Sequence, residues 1–267
     1  MSKKEYIYDG KCIWCQRAKP FVTFYTAPHI VPRSLGGSEI GIDVCDECNN
    51  FFGKCTAANK TISHDLAFKE VFNACLSSLG DRPKSSQKYS SALFFFNRAE
   101  DKIKLRRSFS IYHFTRQFKR SLFEIFLQKY HATFPDENLD RFEAVRQYAR
   151  YGIGNLVVLY AFNKMVYHFD NKEDDIILNM SQSKVDFMNE TGFFHFFFCG
   201  KHLFLQVLPL TSESAWPNSL KKMFEKSVVP LDEDCQIYEL TNILDFDMFN
   251  TVLSPKYLNM GGNRFYR

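Results

Sequence analysis

No stretch of this chain approaches the roughly twenty consecutive apolar residues that a membrane-crossing helix needs. Its longest apolar runs, such as residues 193–199 and 156–162, are far shorter, so no membrane span is expected. Neither charge dominates: 34 Lys and Arg against 30 Asp and Glu leave a net charge of +4. That balance permits contact with a polyanion without requiring it. The first residues carry Lys3 and Lys4 with no apolar core or small-residue cleavage site behind them, so a secretory leader is not expected. No internal repeat is visible. What is present is a composition 45 % hydrophobic, enough for a genuine core in 267 residues. A reducing cytoplasm is the expected compartment. The eight cysteines fit metal binding there better than disulfides, because four of them fall into two CxxC pairs and the other four, Cys55, Cys75, Cys199 and Cys235, are scattered.

Three segments follow from the patterning. Residues 1–79 are rich in cysteine, glycine and turn signals and close on a helix-like pattern through Leu66, Val71, Phe72 and Leu76. Residues 80–91 are polar, contain Pro83 and four serines, and read as a linker. Residues 92–267 read as an α+β accessory domain of unassigned role. Within it Phe114, Phe118, Leu122, Phe126 and Tyr130 form the stripe of an amphipathic helix, whose other face carries Arg116, Lys119, Arg120 and Lys129. A second helix is expected from Leu139 through Phe142, Val145 and Ala149, stopped by Gly152 and Gly154. Strands are expected over 153–162, 175–180, 193–198 and 202–208, the last two joined by a tight Cys199-Gly200-Lys201 turn. The fold class expected for the whole chain is α+β.

Cys12 and Cys15 form the first pair, and Cys45 and Cys48 the second. Two such knuckles make a tetrahedral S4 site, and four thiolates close the coordination shell of a structural zinc ion, which adds folding energy to a segment too small for its own core. The usual ferredoxin spacings are absent, which argues against an iron–sulfur cluster. A structural metal says nothing of catalysis by itself, so function rests on the loop between the knuckles.

That loop holds Pro28-His29-Ile30-Val31-Pro32-Arg33-Ser34-Leu35-Gly36-Gly37, and the second knuckle runs into Asn49-Asn50-Phe51-Phe52-Gly53. A CxxC, a HIxPxSLGG segment and a CxxCNxxFG in this order resemble the zinc-containing HNH endonucleases, over about residues 10–75. The resemblance implies a ββα-metal module and hydrolysis of DNA phosphodiester bonds, in restriction or phage defence, under a regulatory or targeting protein partner. It makes His29 the general base on a hairpin strand, and Asn49 the ligand of a single Mg²⁺ or Mn²⁺, a hard cation that selects oxygen donors. Gly36 and Gly37 would turn the hairpin. Arg33 and Lys54 would lie nearest the scissile phosphate. One departure stands out: many members place an acid directly before the histidine, where this chain has Pro28. Asp43, His64 and Asp65 are the candidates to replace that ligand.

Other readings accompany these. With the acid gone, the module could be a non-catalytic, zinc-stabilised nucleic-acid-binding or protein-interaction unit. Attack by metal-assisted water does not use a 2′-hydroxyl, so an RNA nuclease is the third reading. The arginines at 106, 107, 116 and 120, with Lys119, could track a phosphate backbone, although a solvated helix shows the same charges without binding anything. The 29 phenylalanines are read as core rather than as a stacking platform for bases.

Overall fold

A computed structural model describes residues 3–54, 62–78, 93–97, 102–105, 110–162, 180–198, 201–210 and 236–243. The fold is α+β. In the N-terminal part a 3₁₀ turn, Arg33–Leu35, lies inside a hairpin, followed by α1 (Asp46–Gly53) and α2 (His64–Ser78). A two-stranded antiparallel ribbon follows, β1 (Phe94–Asn97) and β2 (Lys102–Leu105), and then the long helix α3 (Ile111–Thr133). Beyond it come a 3₁₀ turn (Leu139–Phe142), α4 (Glu143–Arg146), a π-helical turn (Gln147–Tyr151), β3 (Val158–Phe162), α5 (Gln182–Thr191), β4 (Phe193–Phe198), β5 (Lys201–Gln206) and β6 (Gln236–Glu239). The four-stranded sheet has the order β4-β5-β3-β6, antiparallel throughout.

Helix α3 organises the rest. Ser110 caps it by accepting from the His113 N–H, and the chain leaves it at Phe134, just before Pro135. Its expected apolar stripe is buried, and its basic side is not a solvated face as read from the sequence: Lys119 and Arg120 are buried, and Arg116 and Lys129 half-buried. For Arg120 the reason is a terminus that needs donors. The Arg120 guanidinium donates to the carbonyls of Tyr148, Ala149 and Arg150, and Arg116 donates to those of Gly152 and Gly154, satisfying the open end of the π-helical turn. Gly152 and Gly154 end that turn at φ 69° and 81°, as their positions suggested, although the expected single helix is three short turns of different pitch. The expected strand at 153–162 begins only at Val158.

The hairpin β4–β5 pairs Phe193 with Gln206 through to Phe198 with Lys201; its turn, Cys199-Gly200, lies outside the described residues. So do the linker 80–91, most of the 175–180 strand, Arg106 and Arg107, and Cys55, Cys199 and Cys235. The described phenylalanines are mostly core: Phe52, Phe68 and Phe72 of the cysteine-rich segment share one continuous apolar cluster with Phe118, Phe123 and Phe126 of α3. Polar contacts cross the same boundary. Gln117 donates to the Ile62 carbonyl at 2.8 Å, and Arg146 to that of Ile13 at 2.8 Å.

Two buried acids there are testable. Asp43, fully buried at φ 54°, accepts from the backbone N–H groups of Tyr8, Asp9 and Gly10 and from His131 Nε2 at 2.9 Å. Burial alone would raise its pKa, but these donors more than offset that and hold the carboxylate below its ordinary value of 3.8. Asp43→Ala strands several donors and is expected to cost about 3–5 kcal/mol in urea denaturation. The stabilisation is complete above pH 3.8 and fades as pH falls through the depressed value. Glu124 is the reverse case. Burial, with Asp65 nearby, raises its carboxyl well above 4.5, and burial lowers His64, so their 3.1 Å contact is a neutral hydrogen bond. A glutamine preserves both bonds of this carboxyl, to His64 and from Gln128. Stability owed to the raised acid is whole below pH 4.5 and is lost as pH rises. Glu124→Gln should therefore match the parent protein in acid and exceed it increasingly toward neutral pH, as read by melting temperature.

Candidate metal centre and hairpin site

The first knuckle is a tight loop. Lys11 pairs with Ala18, Cys12 N–H donates to the Arg17 carbonyl, and Gln16, at φ 59°, returns its side-chain amide to the carbonyls of Cys12 and Ile13. The second knuckle is the start of α1: Cys45 is its N-cap and Cys48 lies in its first turn. Ile13 N–H donates to the Asp43 carbonyl at 2.9 Å and ties the two together. The Sγ atoms of Cys12, Cys15, Cys45 and Cys48 all lie within 4.8 Å of one another, and those of Cys15 and Cys45 are 3.7 Å apart. A tetrahedron with Zn–S bonds of about 2.3 Å has edges of about 3.8 Å, so the spacing suits zinc.

The chemistry suits it too. Crowding by the neighbouring sulfurs pushes the Cys12 thiol up, so all four can be thiolates together only around a cation. Cys45 N–H and Arg150 Nε each donate to a sulfur, Cys12 and Cys48, at 3.4 Å. Such donors offset the surplus negative charge of four thiolates on one dication. With four protein ligands the centre is closed and structural.

The loop between the knuckles is a hairpin. His29 pairs with Ile40, Ile30 N–H donates to the Glu39 carbonyl, and Gly41 N–H to that of Pro28 at 2.7 Å. Two glycines permit its turn for different reasons. Gly36 sits at φ 88°, and a Cβ on Gly37 would fall 2.0 Å from the Val31 carbonyl oxygen. The hairpin and α1 together have the ββα order that the motif implied.

His29 is half-buried, and its Nδ1 is enclosed without a hydrogen-bond partner among the described residues. Burial, and then the positive charge of exposed Arg33, lower its pKa, so the imidazole is neutral at neutral pH. On α1, Asn49 donates from its amide nitrogen to Thr26 Oγ1 at 3.1 Å, which leaves the amide oxygen without a partner among the described residues. Lys54 caps the other end of α1 and is exposed.

The candidates for the missing acid fare unequally. The Asp43 carboxylate is taken up by backbone donors and His131, and His64 by Glu124, while burial raises Asp65. Among the described residues, the four cysteines are the only group of three or more His, Cys, Asp or Glu side chains placed to share an ion. A carboxylate that sequence reasoning passed over is Asp46. It accepts from Thr23 and Thr26, and Thr26 in turn accepts from Asn49, so one hydroxyl joins the acid to the amide. Its signal was its spacing of three from Asn49 on one helix face.

Residues 12–62, from the first cysteine to the approach to α2, match the family model described as HNH endonuclease. No curated protein and no solved structure matches the chain. Among the described residues, no helix is long and apolar enough to cross a membrane.

Proposed function

Starting from an HNH endonuclease module at residues 12–62, we propose that the protein is a metal-dependent endonuclease acting on DNA. The observation that carries this reading is the family match itself, which spans a neutral, half-buried His29 on a hairpin arm and Asn49 on the helix that follows. His29 takes the proton from the attacking water. The Asn49 amide oxygen, with its nitrogen tied to Thr26, would hold Mg²⁺ or Mn²⁺, which supplies charge stabilisation at the phosphate and leaving oxygen. Arg33 and Lys54, both exposed, are positioning contacts for the phosphate backbone. The zinc knuckles hold hairpin and helix together. Residues 1–79 are the nuclease module and 92–267 the accessory region joined to it through 80–91.

A second reading, a zinc-stabilised module that binds nucleic acid or protein without cutting, is favoured by Pro28 in place of the acid. Supercoiled plasmid and an RNA of similar length, offered separately with Mg²⁺ or Mn²⁺, separate the readings. Nicking of plasmid alone supports the proposal, cleavage of RNA moves the substrate, and retention of plasmid without cleavage selects the binding module. A role in restriction or phage defence implies a restraining or targeting protein. Normal growth of cells making the cleaving protein alone would count against that restraint.

A further inference from the structure

A cavity of about 280 Å³ opens between the first half of α3 and the strand β6, away from the cysteines and His29. Its wall includes Tyr112, Arg116, Lys119, Tyr148, Asn155 and Glu239. Three of these are in states that a folded protein rarely leaves uncompensated. Lys119 is only 6 % exposed, and it makes no hydrogen bond or ion pair among the described residues. Tyr148 is 1 % exposed, and its hydroxyl has no partner among the described residues. Arg116 lies over the Tyr148 ring at 5.1 Å and spends one nitrogen on the carbonyls of Gly152 and Gly154, its other N–H groups finding no acceptor among the described residues. A desolvated cation and an unpaired buried hydroxyl each cost stability, and both costs are relieved by one anionic acceptor in the cavity.

The rest of the lining narrows the class. Tyr112, 72 % exposed, presents an aromatic ring at the mouth, and Asn155 and Glu239 offer an amide and a carboxylate that can pair with the donors of a base or ribose. Glu239 is a negative charge near Lys119, but the two do not come within ion-pair distance among the described residues, so the ammonium still lacks a direct acceptor. The volume lies near the lower end of small-ligand sites. We propose that this cavity binds a phosphate-bearing ligand of mononucleotide size, its phosphate on Lys119 and Arg116 with the Tyr148 hydroxyl, and its base toward Tyr112 and Asn155. The claim is independent of the nuclease reading, since it involves neither His29 nor the cysteines.

Equilibrium dialysis of the full-length protein with radiolabelled adenosine and guanosine monophosphates tests it, with inorganic phosphate as competitor and adenosine as uncharged control. Binding of a monophosphate, displaced by phosphate and not by adenosine, is expected. Lys119→Met should weaken it by about tenfold or more, the loss of one charge-assisted contact, while leaving the melting temperature equal or higher. Tyr148→Phe, which removes only the hydroxyl, should weaken it several-fold and serves alone if the lysine variant does not fold. No binding of either monophosphate at millimolar concentration, adenosine binding as tightly, or undiminished binding by either folded variant would overturn the proposal.

Discussion

Cys45→Ala is expected to remove the zinc and unfold the N-terminal module. The residue it changes stands at the N-cap position of α1, and the thiolate it deletes is one of four sulfurs packed within 4.8 Å. Structural zinc contributes on the order of 10–16 kcal/mol in small modules at neutral pH, as much as the whole stability of many domains. Metal analysis should find about one zinc per chain in the parent protein and essentially none in the variant, and a chelator should lower the parent's melting temperature toward the variant's. Because Phe52 and Phe68 belong to the same apolar cluster as Phe118 and Phe126, the loss should spread into α3 rather than stop at the module. A parent protein free of zinc and indifferent to chelators would overturn the assignment of the cysteines.

His29→Ala is expected to lower the plasmid-nicking rate by about 10²- to 10⁴-fold, the usual contribution of a general base. A half-buried side chain on a hairpin arm should leave the melting temperature almost unchanged. The pH dependence gives a second test with a definite sign. A base works when neutral, and burial together with Arg33 holds His29 below its ordinary value of 6.5. Cleavage should therefore be fully developed above that pH and fall only as pH drops through the depressed value. Arg33→Gln removes one of the two causes and should shift the acid limb upward. Equal rates for His29→Ala and the parent protein would assign the chemistry elsewhere. An acid limb above 6.5 in the parent would remove His29 as the titrating group.

How much of this was legible in the amino-acid sequence depends on whether the determinant is local. The two cysteine pairs, the hairpin glycines and the apolar stripe of α3 are set by spacings of a few residues, and the structure has them where the spacings put them. The burial of Arg120 was not legible, because it depends on carbonyls nearly thirty residues away at the end of the π-helical turn. The same holds for Asp43, whose acidity is controlled by backbone at residues 8–10 and by His131. The helix α5 escaped notice for a different reason: only Val185, Met188 and Thr191 of its ten residues are buried, too few to mark a period. At the candidate site, His29 and Asn49 were readable from motif order. Asp46 and its hydroxyl partners were not, since Thr23 and Thr26 meet it only once the chain has turned back on α1.

The packing of α3 against the cysteine module also sets a schedule for synthesis. A ribosome adds roughly 5–20 residues per second, so the stretch from Cys48 to Thr133 takes roughly 4–17 s to emerge. During that interval the knuckles can load their metal, but the apolar face of α2 lacks the helix that covers it, and Cys48 lacks the Arg150 guanidinium. The nascent module is thus an unfinished tool in the hand of the ribosome, completed only when the region that follows it has been made.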